Sequence, residues 1–109
     1  MMDEYLKSLP FGNEYNPPER IVCAANKYND VVIPGIRHGC NAMCDILDHM
    51  ILLDKKFNRR SEIQGFLTSK HKFVNRQEAW KIAVEQKQIV RLVGGNDSKG
   101  GTLYSENLY

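Results

Sequence analysis

Apolar runs separated by short polar turns occur twice along the chain. The first pair of runs, residues 21–25 and 31–33, flanks Asn29 and Asp30, two residue types that tolerate left-handed backbone. The second pair, residues 66–68 and 73–74, flanks a polar stretch over residues 69–72. Short runs of β-branched and aromatic residues on either side of a turn are typical of β-hairpins. The pattern therefore predicts two hairpins.

Two further stretches repeat their apolar residues with a helical period. In the later one, Asn75 followed three residues on by Glu78 has the pattern of a capping box, which predicts that a helix starts there. The apolar face of that helix consists of Ala79, Ile82 and Ala83. The earlier stretch predicts a helix over residues 41–55 with Asn41 as its cap. Its apolar face consists of Met43, Ile46, Leu47 and Met50.

The order of these elements predicts the fold class. A strand over residues 89–93 and an irregular glycine-rich loop over residues 94–101 are expected after the second helix. Strands and helices follow one another with short connections and without an internal repeat. We therefore predict an α+β fold in which a small antiparallel sheet, built from two hairpins, carries two main helices packed on it.

The chain of 109 residues is expected to form one domain, residues 20–109, preceded by an arm or linker over residues 1–19. Three of the four prolines lie in this arm. Two interpretations of the arm remain open: a mobile tail, and a segment that docks on a partner subunit. The second predicts a homodimer or higher oligomer. Its apolar anchors would be Tyr5, Leu6, Leu9, Phe11 and Tyr15.

Composition and charge narrow the class of partner. The apolar share of 42% and the charged share of 26% are those of a soluble globular protein. A formal net charge of +2 suits a small anionic ligand and argues against a dedicated duplex-DNA binder. No apolar run approaches the roughly 18 residues of a membrane span. Three cysteines without a secretory leader indicate free thiols in a reducing cytoplasm.

Arginines stand at the start of both predicted helices. Arg37 and His38 precede the first helix, and Arg76 opens the second one directly after Asn75. A helix N-terminus presents free N–H groups and partial positive charge, and arginine adds a bidentate donor for phosphate. Phe66, beside a glycine, can offer a ring face on which a base stacks. The alternatives are a solvated arginine, a histidine paired within a loop and a core phenylalanine.

The sequence contains few residues that could form a metal site or a catalytic site. Cys40 and Cys44 lie near His38 and His49, but their spacing matches no zinc pattern. No paired carboxylates, nucleophile motif, dinucleotide fingerprint or P-loop is present. We therefore expect no metal, no cofactor and no enzymatic activity. The alternative activity is a nucleotide-processing enzyme that uses His38 as acid or base.

Several segments together resemble a family of small phage proteins, the Thoeris anti-defence sponges. The resemblance covers about residues 20–109 and is carried by IVCAANKYND, IPGIRHGCNAM, QGFLTSKHKFVNRQEAWKIAVEQKQI and GTLYSENLY. Two departures from the family pattern are the Gly-Cys pair after His38 and the stretch over residues 93–101, which resembles an insertion. The resemblance implies a protein of the host bacterial cytoplasm that sequesters a cyclic ADP-ribose isomer without cleaving it. Some members also hold cyclic oligonucleotides at a separate site.

The resemblance also implies a role for each candidate residue, in a site that lies between protomers. Phe66 would stack on adenine, and Asn75 would hydrogen-bond a base edge or a ribose hydroxyl. Arg37, Arg76 and Arg91 would neutralise the pyrophosphate, with His38 beside them. A nucleic-acid-binding phage accessory protein is the remaining alternative, and the modest net charge disfavours it.

Overall fold

The two predicted hairpins form one four-stranded antiparallel sheet. A computed structural model describes residues 3–12 and 16–109. Its first hairpin pairs β1 (Ile21–Tyr28) with β2 (Val31–Gly35), and its second pairs β3 (Ile63–Thr68) with β4 (Phe73–Asn75). The strand order is β2-β1-β3-β4, so the two hairpins join along β1 and β3. The predicted α+β class is confirmed.

Both main helices cover the same face of this sheet. Ala24 of β1 lies opposite Phe66 of β3, and these side chains pack with α3 (Arg76–Glu85). Further along β1, Tyr28 packs with α2 (Asn41–Leu53). The core is therefore divided into two clusters, one under each helix. The members of the α3 cluster are Ile21, Ala24, Phe66, Val74, Ala79, Ala83 and Leu103. Those of the α2 cluster are Tyr28, Ile33, Met43 and Leu47.

The two helices begin in different ways. The predicted capping box at α3 is confirmed: Asn75 Oδ1 accepts from the Glu78 amide at 2.8 Å, and Glu78 Oε1 accepts from the Asn75 amide at 3.2 Å. The predicted cap of α2 is wrong by one residue. Cys40 is the N-cap there and forms no side-chain cap hydrogen bond, while Asn41 is the first helical residue. The first residue of a helix is harder to predict from sequence than the helix itself, because helix ends fray by one or two residues.

The strand predicted over residues 89–93 does not form. Its backbone is irregular, and the Val90 amide donates to the carbonyl of Asn107, which lies in a short 3-10 turn, Ser105–Asn107. The β-branched residues of this run favour a strand, but the four strands of the described sheet pair only with one another. The glycine-rich loop instead packs back on α3. A Cβ added at Gly101 would lie 2.1 Å from the Trp80 ring, so this approach requires glycine.

The arm contains a short helix, α1 (Glu4–Lys7), none of whose residues is buried. Tyr5, Leu6, Leu9 and Phe11, four of the five predicted apolar anchors, are exposed. Tyr15, the fifth, lies outside the described residues.

Candidate functional site

Phe66 is a core residue, which corrects the prediction that it stacks on a base. Its side chain is 0% exposed. Strand alternation places residue 66 on the face covered by α3, where it pairs with Ala24 on one side and Val74 on the other. The ring of His38 meets it edge-on, with centroids 5.1 Å apart. No face of the Phe66 ring is open to a ligand.

His38 is partly buried and its tautomer is defined by one hydrogen bond. Its Nε2 lies 2.7 Å from the carbonyl oxygen of Gly65. Because a carbonyl can only accept, Nε2 carries the proton, and in the neutral ring Nδ1 holds a free lone pair. Burial lowers the pKa of His38, and the nearby Arg76 charge lowers it further, although the Gly65 contact opposes them. His38 is therefore a neutral hydrogen-bonding group at pH 7.

Arg37 lies against Tyr109. Its Nη2 donates to the Tyr109 carbonyl, and its guanidinium carbon lies 4.5 Å from the centroid of the Tyr109 ring. The Tyr109 hydroxyl donates to the carbonyl of Ile36, so the two segments hold each other from both sides. Arg37 Nη1 is buried, and the described residues provide no hydrogen-bond partner for it. One donor of this guanidinium is therefore unused.

Arg76 and Arg91 hold the same C-terminal segment at other points. Arg76 Nη1 donates to the Leu103 carbonyl at 2.7 Å and Nη2 to Gln64 Oε1 at 2.7 Å. Its guanidinium carbon lies 4.9 Å from the centroid of the Tyr104 ring. Arg91 Nη1 donates to the Glu106 carbonyl at 2.8 Å. All three predicted phosphate-binding arginines thus donate to main-chain carbonyls of residues 103–109.

Arg76 and Arg91 are held by neutral oxygens and not by a carboxylate. Within residues 3–12 and 16–109 the structure contains one ion pair shorter than 4.0 Å, which joins Lys7 to Glu4 on the arm. The nearest acid to the cluster is Glu106. A hydrogen bond to its own backbone amide lowers the pKa of Glu106, and a hydrogen bond from the Ser105 hydroxyl and the charge of Arg37 lower it further.

The side chain of Asn75 caps the N-terminus of α3. Its side-chain oxygen serves the capping box described above, and its side chain is exposed at the edge of the sheet. Capping therefore accounts for this residue, and its predicted contact with a base or ribose remains a prediction.

A polar pocket of about 170 Å³ lies between α2 and the sheet. Asn26 and Tyr28 of β1 line it, together with His38 and Gln64. Asn26 occupies the position on β1 between Ala24 and Tyr28, which belong to different core clusters. The remaining lining residues are Gly39, Met43, Cys44, Leu47, Arg59 and Glu62.

Asn26 is the residue that sequence reasoning missed. It is 4% exposed, and its Nδ2 donates to the Tyr28 hydroxyl over a long 3.4 Å. Its Oδ1 has no hydrogen-bond partner among the described residues. An unpaired buried amide oxygen is costly, so it indicates a strained or a functional position. The available signal was an asparagine inside the apolar run IVCAANKY, where a strand buried on both faces would hold an aliphatic residue.

The pocket and the arginine cluster adjoin each other. Gln64 lines the pocket and accepts a hydrogen bond from Arg76. His38 also lines the pocket, and Arg37 is the residue before it in the chain.

In the described part of the chain, no three His, Cys, Asp or Glu side chains lie close enough to hold a metal ion. Cys23, Cys40 and Cys44 are free thiols. No described helix has the length and apolar character needed to cross a membrane.

These features define a small α+β protein with an arginine cluster beside a polar pocket. Residues 20–109 match the family model of the phage T4 y16D protein. The match covers most of the chain, so the protein belongs to this phage family. No curated protein and no solved structure matches the chain.

Proposed function

We propose that this phage protein binds and sequesters an anionic nucleotide signal, a cyclic ADP-ribose isomer, in the cytoplasm of the host. The observation that carries the proposal is the cluster of three arginines around residues 103–109, in which Arg76 and Arg91 are held by neutral oxygens. In the same cluster Arg37 Nη1 is buried and has no partner among the described residues. A guanidinium that keeps its charge and has a spare donor favours an anion such as pyrophosphate. The resemblance to the anti-defence sponges supports the same ligand class.

Binding without cleavage is the second part of the proposal. His38 is neutral, and its Nε2 proton is committed to a backbone carbonyl. A histidine in that state can orient a ligand by accepting a hydrogen bond at Nδ1, but it is a weak proton donor. The activity that this arrangement supports best is retention of an intact ligand.

In this proposal the C-terminal tyrosines, and not Phe66, stack on the base of the ligand. Tyr109 is 41% exposed and lies over Arg37, while Tyr104 lies beside Arg76. An exposed ring next to a cation can stack on a base while the cation binds the phosphate. Cyclic oligonucleotides, which share these groups, belong to the same ligand class.

A second protomer completes the site in this proposal. A pocket of about 170 Å³ is close in size to an engineered cavity of about 150 Å³ that holds a benzene molecule. It therefore receives one ring of a dinucleotide-sized ligand and leaves the rest uncovered. A neighbouring protomer would cover the remainder, as in the family that the sequence resembles.

The test is retention and release of the ligand. The protein is incubated with a cyclic ADP-ribose isomer, freed of unbound ligand, denatured by heat, and the supernatant is analysed by chromatography. Recovery of unchanged ligand is the expected result. Recovery of a product would instead identify an enzyme, and absence of ligand from the protein fraction would refute binding.

Arg37→Ala is the variant that tests the arginine cluster. Loss of a charge-assisted hydrogen bond from Nη1 should weaken binding by about 2–3 kcal/mol. Arg37→Lys should restore only part of it, since an ammonium cannot contact Tyr109 and the ligand with a planar fork. Titration calorimetry measures both. Arg60→Ala, which removes an exposed arginine of the connection before β3, is the matched control and should bind as the wild type does. Equal affinities for Arg37→Ala and the control would remove Arg37 from the site.

A further inference from the structure

We infer that the pocket beneath α2 is a base-binding subsite for a planar heterocycle that carries an exocyclic amino group, as adenine and cytosine do. The inference deepens the proposed function, because such a base would be part of the sequestered nucleotide. Its starting point is Asn26, whose side chain is 96% buried against the pocket while its Oδ1 stays unpaired. A buried acceptor of this kind gains most from a ligand that donates.

Other polar groups of the pocket add further acceptors, while Arg59 is a lining side chain that can only donate. The Tyr28 hydroxyl already accepts from Asn26 Nδ2. His38 has its proton on Nε2, facing Gly65, so its Nδ1 holds a lone pair. The Glu62 carboxylate accepts from Gln64 Nε2 at 3.0 Å and retains further lone pairs. The free acceptors on Asn26, His38 and Glu62 favour a ligand with several N–H donors over one that presents carbonyl oxygens to them.

The size and the walls of the pocket fit one flat ring system. Its volume of about 170 Å³ exceeds several times the roughly 30 Å³ that one water molecule occupies in the liquid. A single water could pair Asn26 Oδ1, but it would not fill the space. Met43 and Leu47 of α2 line the pocket as well and offer apolar surface to a ring face. Apolar walls with a few convergent polar groups are the usual composition of a small-molecule site.

The first experiment uses free bases, which carry no phosphate. Adenine is compared with hypoxanthine and cytosine with uracil, because each pair exchanges an amino group for a carbonyl. Binding to the full chain is measured by nuclear magnetic resonance, with the Asn26 side-chain amide protons as the reporter in the wild-type protein. Adenine and cytosine should shift these signals in a saturable way, and hypoxanthine and uracil should need at least about tenfold higher concentrations. The inference would be overturned if no base shifted these signals. It would also be overturned if the two bases of a pair bound with equal affinity.

The second experiment replaces the acceptor. Asn26→Leu keeps the size of the side chain and removes the unpaired oxygen, so its thermal midpoint should equal or exceed that of the wild type. Adenine affinity should fall at least about tenfold. Asn16→Leu makes the same change at an exposed position and is the control. A lower midpoint for Asn26→Leu with unchanged adenine binding would show that Asn26 is structural and would refute the subsite.

The two proposals fail in different ways. If amino-bearing bases bind through Asn26 but cyclic ADP-ribose isomers are not retained, the subsite stands and sequestration falls. If a cyclic ADP-ribose isomer binds Asn26→Leu as tightly as it binds the wild type, the subsite falls and the proposed function stands.

Discussion

His38 connects the pocket, the core and the arginine cluster through a single ring. It meets Phe66 edge-on, donates to Gly65 in β3 and lies within electrostatic range of Arg76 and Glu106. Burial of the ring and the charge of Arg76 favour the neutral form, whereas the Gly65 carbonyl and Glu106 favour the protonated form. A residue with so many constraints should show its protonation state in the stability of the whole protein.

The first prediction therefore concerns pH. Because the pKa of His38 is lower in the folded than in the unfolded chain, the unfolded state binds a proton first as the pH falls. The stabilisation is fully present above the unfolded pKa of 6.5 and is lost as the pH falls from there towards the folded pKa. Urea unfolding measured across this range should show the loss in the wild type. This loss of stability at lower pH should be smaller in His38→Gln, whose side-chain amide can still donate to the Gly65 carbonyl.

His49→Gln is the control for this experiment. His49 is exposed on α2 and its Nδ1 lies near the Asp45 carbonyl of its own helix. Its replacement should leave the pH dependence of the wild type intact. The same pH dependence in the wild type and in His38→Gln would contradict the assignment of a buried neutral His38.

At the scale of elements, local patterns predicted most of the secondary structure. The hairpins follow from apolar runs around turns, with Asn29 and His71 adopting positive φ in the two loops. The capping box follows from Asn75 and Glu78, which are three residues apart. Interactions within a few residues are encoded in sequence spacing, so a single chain suffices to predict them.

The C-terminal segment could not be predicted in the same way. Its contacts join residues far apart in sequence, such as Arg37 with Tyr109 and Arg76 with Leu103. The polar centre of the segment is a reciprocal pair of amides, in which Asn96 and Asn107 each donate to the other at 2.8–2.9 Å. Nothing in the local pattern distinguishes a guanidinium that binds a distant carbonyl from one that binds a phosphate. The structure shows the intramolecular partners of the three arginines, and their contact with a phosphate stays a prediction.

The second prediction concerns this segment. Arg76→Ala removes hydrogen bonds to Leu103 and Gln64 and exposes one face of Tyr104. Since hydrogen bonds from a charged group each contribute more than neutral ones, the free energy of unfolding should fall by about 2 kcal/mol. The Leu103 amide, which donates to the Arg76 carbonyl, should exchange its hydrogen faster than in the wild type. Chemical unfolding and hydrogen exchange measure the two effects.

Arg60→Ala again provides the matched control, because Arg60 is exposed and far from residues 103–109 in sequence. It should change the free energy of unfolding by less than about 0.5 kcal/mol. If Arg76→Ala is as mild as the control, the carbonyl contacts of the arginines contribute nothing to holding the segment. The C-terminal residues would then be free to leave the cluster at little cost.

At the scale of the whole molecule, large apolar side chains exposed on the arm and at the end of α2 lead to a prediction about assembly. Tyr5, Leu6, Leu9 and Phe11 are 45–87% exposed on the arm, and Leu52 and Leu53 are exposed at the end of α2. Burying such residues contributes roughly 25 cal/mol for each Å² removed from water, so their exposure in an isolated chain is unfavourable. An apolar patch of this kind typically marks an interface.

The last prediction is that the protein is a homo-oligomer and that the arm supports the assembly. Light scattering coupled to size exclusion should give the wild-type protein a mass at least twice its 12.5 kDa at micromolar concentration. Replacing the four exposed arm residues by serine should shift the mass towards 12.5 kDa without loss of secondary structure, because none of them is buried in the chain. Leu52→Ser combined with Leu53→Ser makes the same change at the end of α2 and shows which surface carries the interface. A wild-type mass near 12.5 kDa would contradict the prediction, and any nucleotide site would then have to be complete within one chain.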